Sequence, residues 1–82
     1  MRKLEWTGQA QDDLRAVDRV VAQRIYSTIR RYAETGSGDV KRLRDFGGAY
    51  RLRVGDWRVI LRNEPQETIR IMRVVHRSDA YR

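Results

Sequence analysis

The 82-residue chain has no cysteine, one proline and one histidine. Without cysteine there is no disulfide framework and no thiolate zinc site. With one histidine, any metal cage would have to be built from carboxylates, and these are scattered along the chain. No apolar run is long enough to span a membrane. The basic start, MRKLEWTGQAQ, is followed by no apolar stretch of the kind a secretory signal requires. A phosphate-cradling loop is missing too: DFGGAY, residues 45–50, has neither the lysine nor the strand–loop–helix setting. The expectation is one soluble cytoplasmic domain over residues 1–82, with no membrane partner and no small-molecule cofactor.

Acidic residues are also in short supply. Eighteen Lys and Arg face eleven Asp and Glu, a formal net charge of +7. The excess is lopsided. Residues 1–40 hold seven basic and six acidic residues; residues 41–82 hold eleven and five. A basic half of this kind points to a polyanion or to an acidic protein partner. Sixteen of the bases are arginine, the better bidentate ligand for phosphate.

The apolar pattern changes period once. Residues 2–6, RKLEW, read as a short strand with Leu4 and Trp6 inward. Thr7 then caps a first helix over about 8–16, with Ala10, Leu14 and Val17 at helical spacing. Asp18 caps a second, in which Val21, Ile25, Ile29 and Tyr32 or Ala33 recur every three or four residues. The join is short enough to force a helical hairpin. The two glycines of TGSGD, 35–39, end it. After residue 48 the period becomes two. YRLRV and WRVIL flank Gly55-Asp56, and glycine first in a two-residue loop suits a type II′ hairpin turn. NEPQE, 63–67, makes a second break before TIRIMRVV, 68–75. The expected architecture is α+β: an N-terminal strand and a helical hairpin packed on an antiparallel sheet of about four strands, in the order β-α-α-β-β-β. The third strand of the run is ambiguous in phase, because Arg73 falls in step with Ile69, Ile71 and Val75. A bulge would resolve it.

The two-residue turn fixes a register. Val54 faces Trp57, Leu52 faces Val59 and Tyr50 faces Leu61 on the core side. On the other side Arg53 faces Arg58 and Arg51 faces Ile60, with Arg62 beyond. Like charges directly opposite across a sheet are destabilising, and a small domain has little stability to give away. An anion on that face is the simplest reason to keep them. The chain closes with RVVHRSDAYR, which adds His76, Arg77 and Tyr81. A histidine, a tyrosine and several arginines around one sheet face are compatible with metal-free RNA cleavage. That reaction needs proton transfer at the 2′-hydroxyl and the leaving oxygen, and positive charge on the five-coordinate phosphate. One geometric obstacle is plain. In regular strand His76 and Arg77 point to opposite faces, so both can serve one site only if the strand has ended or bulged there.

YRLRVGDWRVIL followed by IRIMRVVHRSDAYR, with LRDFGGAYRLRV and the helical hairpin upstream, resembles the RelE branch of the RelE/ParE toxin superfamily along nearly the whole chain. The resemblance implies a toxin of a toxin–antitoxin pair with a RelE-like fold, in which the N-terminal strand joins the sheet beside the last one. It further implies cleavage of messenger RNA in the ribosomal A site without metal, and a cognate acidic antitoxin that covers the active surface. For residues, it implies phosphate binding by Arg51, Arg53 and Arg58, transition-state stabilisation by Arg58 and Arg77, and a place for Tyr81 beside the reacting nucleotide. Some members carry lysine where this chain has Arg51 and Arg53; arginine cannot give up a proton, so those positions bind and polarise only. Proton transfer then falls to His76 or Tyr81. The ParE branch is the alternative: the same fold, inhibiting DNA gyrase by protein contact. A nucleic-acid-binding module without chemistry is a third reading.

Overall fold

A computed structural model describes residues 1–44 and 47–80. The elements run β1 (Lys3–Trp6), α1 (Gly8–Arg15), α2 (Arg19–Thr35), β2 (Asp39–Arg42), β3 (Tyr50–Val54), β4 (Trp57–Glu64) and β5 (Thr68–His76). The strands form one sheet in the order β1-β5-β4-β3-β2. The α+β architecture with a helical hairpin on one face is as the sequence predicts. Two details differ. The sheet has five strands, because Asp39–Arg42 pairs antiparallel with β3. It is mixed, because β1 runs parallel to β5. That parallel pairing sets the N-terminal strand beside the last one, as the resemblance implies.

Both helices start where the sequence offers an oxygen. The Thr7 hydroxyl accepts from the Ala10 amide, and the Asp18 carboxylate accepts from the Val20 amide. Gly36, at φ 75°, ends α2 in the left-handed conformation and donates its amide to the Tyr32 carbonyl. Ile25, Ile29, Tyr32 and Ala33 of α2 are buried against Leu52, Val54, Val59 and Leu61 of the hairpin, with Ala10 of α1 and Ile69, Ile71 and Val74 of β5 completing the core. Burial of these side chains is the main force holding helices to sheet.

The β3–β4 register is the expected one at every position, from Tyr50 opposite Leu61 to Val54 opposite Trp57. Gly55 has φ 60°, and Asp56 is not among the residues with positive φ, which is the φ pattern of a type II′ turn. The ambiguous phase of β5 is resolved by a bulge. Ile60 faces Arg73 but Leu61 faces Ile71, so Met72 is the extra residue. Ile69 and Ile71 lie on the core side before the bulge, and Val74 takes over after it. Val75 consequently faces Arg58 on the other side.

The bulge is held by the N-terminal segment. The Thr7 amide donates to the Ile71 carbonyl, and its hydroxyl donates to that of Met72 at 3.0 Å. Asp13 of α1 accepts from Arg73 Nε at 2.8 Å, from its Nη2 at 3.2 Å and from the Val74 amide at 2.9 Å. The hydrogen bond to Asp13 raises the Arg73 pKa above arginine's ordinary value, with desolvation working against it.

Candidate functional site

The hairpin places Arg51, Arg53 and Arg58 on the sheet face opposite the helices, with Arg53 directly across from Arg58. β2 extends that face with Asp39 and Lys41, paired to Arg53 and Arg51. The arginines are not equivalent. Arg51 is the most covered, its side chain 13% exposed, and lies 3.5 Å from the Asp39 carboxylate. Arg53 is exposed, with no ion-pair partner among the described residues. Arg62 is exposed and its guanidinium rests against Gly47, where a Cβ would meet Nη2 at 3.0 Å. Arg70, across from Arg62, lies 3.7 Å from Glu5 and 3.9 Å from Glu64. Acidic partners thus temper the β1 end of the face, and uncompensated charge collects toward the β3–β4 turn.

At that turn the arginines converge. Arg58 folds back so that Nη1 donates to the carbonyl oxygens of Gly55 at 2.9 Å and Trp57 at 3.0 Å. The Arg77 amide donates to the Asp56 carbonyl at 2.8 Å, and its Nε lies 3.8 Å from the Asp56 carboxylate. Arg58 and Arg77 therefore meet on one two-residue turn, although 19 positions separate residue 58 from residue 77.

His76 stands on the other side of the sheet. It faces Trp57, on the core side of the sheet, and so does not lie on the face that carries Arg53 and Arg58. The strand ends at His76, and Arg77 follows it with its amide on the Asp56 carbonyl. The imidazole meets the Trp57 ring edge-on, with centroids 5.3 Å apart. It lines a cavity of about 350 Å³ with Asp13, Ala16, Val17, Trp57 and Arg73 among its walls. The Ser78 amide donates to Nδ1 at 3.3 Å, and the Ser78 hydroxyl stands 3.0 Å from the same atom. An amide donor on Nδ1 leaves the ring proton of a neutral imidazole on Nε2. Tyr81, the remaining candidate, lies outside the described residues.

Sequence reasoning missed three participants. Asp39 reaches Arg51 only because β2 exists, and a four-residue strand with one apolar residue gives little signal. Asp13 is identifiable only once α1 is packed on the bulge. The Arg24 guanidinium of α2 stands beside Gly55: a Cβ built there would be 3.3–3.5 Å from its atoms. Nothing in the helical periodicity distinguishes Arg24 from the other exposed arginines of α2.

On the outer side of the helices, away from this cluster, Trp6, Gln11, Leu14, Arg15, Ala22 and Tyr26 line an apolar groove of about 450 Å³. The Trp6 and Tyr26 rings stack there at 6.3 Å. No helix among the described residues is long and apolar enough to cross a membrane. No group of three or more His, Cys, Asp or Glu among them is placed to hold a metal ion.

Comparison with known proteins agrees with the fold. The chain superposes on the toxin–antitoxin complex RelB-RelE of Methanococcus jannaschii with TM-score 0.76 and 26% identity, covering 94% of each chain. The RelE-RelB complex of Pyrococcus horikoshii OT3 gives TM-score 0.76 and 24% identity, covering 96% of this chain and 98% of that one. The E. coli RelBE complex gives TM-score 0.75 at 12% identity, covering 93% and 96%. A search of curated proteins by sequence finds no match. The sequence model of the ParE toxin of the type II toxin–antitoxin system parDE matches residues 4–81. A match over nearly the whole chain, on a fold shared with the RelE toxins, makes this protein a member of the ParE toxin family within the RelE/ParE superfamily of toxin–antitoxin toxins.

Proposed function

We propose that this toxin is a metal-independent endoribonuclease that cleaves messenger RNA, in the ribosomal A site, and so stops translation in the cytoplasm. The observation that carries the reading is the convergence of Arg58 and Arg77 on the Gly55-Asp56 turn, beside the exposed Arg53. Guanidinium groups held at one point against their own repulsion suit a phosphate that gains charge in the transition state. In the proposed reaction the ribose 2′-oxygen attacks phosphorus, the bond to the 5′-oxygen breaks, and a 2′,3′-cyclic phosphate and a free 5′-hydroxyl result. Arg58 and Arg77 take the developing charge, while Arg53, Arg51 and Arg62 hold neighbouring phosphates.

The hydrogen bonding of His76 suggests its part. In the protonated ring Nδ1–H no longer accepts from the Ser78 amide, and Nε2–H is the proton free to be delivered. The Ser78 hydroxyl, 3.0 Å from Nδ1, is in place to accept from that nitrogen when the ring carries a second proton. His76 then serves as the acid for the leaving 5′-oxygen, from the helix side of the turn, and Tyr81 is left to receive the 2′-hydroxyl proton. The matching antitoxin is an acidic protein that covers the basic half of the chain.

A second reading is kept because the matching family model is that of the ParE toxins: inhibition of DNA gyrase by protein contact. Expression in growing cells separates the two. Ribosome-associated messenger fragments and arrested translation support the nuclease; DNA breaks and filamentous cells with intact messenger support the gyrase inhibitor. A chain with neither effect would be a nucleic-acid binder without chemistry.

A further inference from the structure

Arg24 has no place in the reading above. It projects from the exposed side of α2 and has no ion-pair partner among the described residues. Its guanidinium lies across the β3–β4 turn, with Nη1, Cζ and Nη2 at 3.3, 3.5 and 3.5 Å from the position of a Gly55 Cβ. Three arginine side chains therefore approach one two-residue turn. Arg24 comes from α2, Arg58 from β4 and Arg77 from the end of β5. Asp56, the carboxylate of the turn itself, is 3.8 Å from Arg77, and one carboxylate cannot neutralise three cations.

Glycine at position 55 has two physical reasons. Its φ of 60° suits a type II′ turn, and a Cβ there would come into contact with the Arg24 guanidinium, closest to Nη1 at 3.3 Å. A long side chain stretched over a turn loses rotamer freedom, and here it moves toward like charge. Helix packing gives no return for this, since Arg24 is exposed and outside the core.

We propose that Arg24 completes a three-arginine phosphate site around the Gly55-Asp56 turn, and that RNA backbone crosses the hairpin tip from the arginine face onto α2. The inference rests on the nuclease reading for the identity of the polyanion. RNA is favoured over an acidic protein because the site is continuous with Arg58 and Arg77, where the reacting phosphate is placed. Arg24 is a binding residue outside the reaction: it holds a phosphate next to the one that reacts.

The test measures binding of the intact protein to a short 2′-O-methyl RNA, which cannot be cleaved, between about 50 and 200 mM salt. Arg24→Gln should weaken binding roughly three- to tenfold and reduce the slope of log affinity against log salt by about 0.7, one phosphate contact on a single strand. Arg24→Lys should restore the slope. The melting temperature should match the parent's. If Arg24→Gln binds with the parent's affinity and slope while Arg58→Ala still abolishes cleavage, the Arg24 site is wrong and the nuclease reading stands. If the parent binds and Arg24→Gln shows the reduced slope, but the parent cuts no RNA on ribosomes, the site stands and the nuclease reading falls. A parent that does not bind the oligonucleotide, or an Arg24→Gln variant impaired only toward the acidic antitoxin, overturns the RNA site.

Discussion

Asp13 and Arg73 form a two-pronged pair, 2.8 and 3.2 Å, that fastens α1 to the bulge of β5. One oxygen of Asp13 also accepts the Val74 amide, so the carboxylate satisfies a backbone group that the bulge withdraws from the ladder. The Asp13 side chain is 16% exposed. Asp13→Asn keeps the shape but puts an N–H group where an acceptor is needed. It should lower unfolding free energy by about 1–3 kcal/mol, the usual cost of leaving buried polar groups unsatisfied. Chemical denaturation checks this; a midpoint equal to the parent's would show that the pair contributes nothing. Because the Arg73 pKa is raised in the folded state, the stability it brings is fully present below arginine's ordinary range and lost only as pH climbs through the higher folded value. The pair should therefore hold unchanged from neutral pH to moderately alkaline solution.

Arg58→Ala is expected to abolish toxicity while leaving the fold intact. Its two hydrogen bonds to turn carbonyls are lost, at about 0.5–1.5 kcal/mol each, and this is offset in part by relief of repulsion with Arg53. Single-turnover cleavage should fall by about 10²–10³, the range for one group that stabilises developing charge. A variant still toxic at matched expression would remove Arg58 from the site.

For His76→Gln the expected fall in cleavage rate is roughly 10²–10⁴ with RNA binding kept. A rate within a few-fold of the parent would exclude His76 and leave Tyr81 as the proton-transfer group.

Cleavage should be indifferent to chelators, since the described residues offer no cluster of metal-binding side chains. The comparison is made on intact ribosomes in both arms. Activity lost with EDTA and restored by a divalent ion would contradict the arginine-based scheme.

The antitoxin should bind more weakly as salt rises, because residues 41–82 carry most of the +7 charge. Calorimetry across ionic strength measures this. Affinity independent of salt would transfer the main contact to apolar surface, and the groove beside Trp6 and Tyr26 is where to look.

The hairpin was legible in the sequence because period-two alternation and a glycine-led turn leave one register, and every pair from Tyr50 to Leu61 follows it. The helix starts were legible because Thr7 and Asp18 each offer an oxygen to a free amide. β2 was not, because an edge strand exposed on three of its four residues carries no alternation to read. The side taken by His76 was not legible either. It depends on whether one extra residue, Met72, is inserted upstream, and that is decided by Thr7 and Asp13, some sixty positions away. The convergence of arginines was only half visible. Arg53 and Arg58 are neighbours in the register, whereas Arg24 and Arg77 arrive from elements whose docking no local pattern encodes.

The parallel pairing of Lys3–Trp6 with Thr68–Ile71 also has a kinetic meaning. β5 is the shared neighbour of β1 and β4, so a nascent chain that has not yet released it has neither the partner for its first strand nor the support for its central hairpin. Contacts between such distant positions form late and slowly. Until β5 docks, Arg77 has no place at the Gly55-Asp56 turn, so the arginine cluster is assembled late in folding.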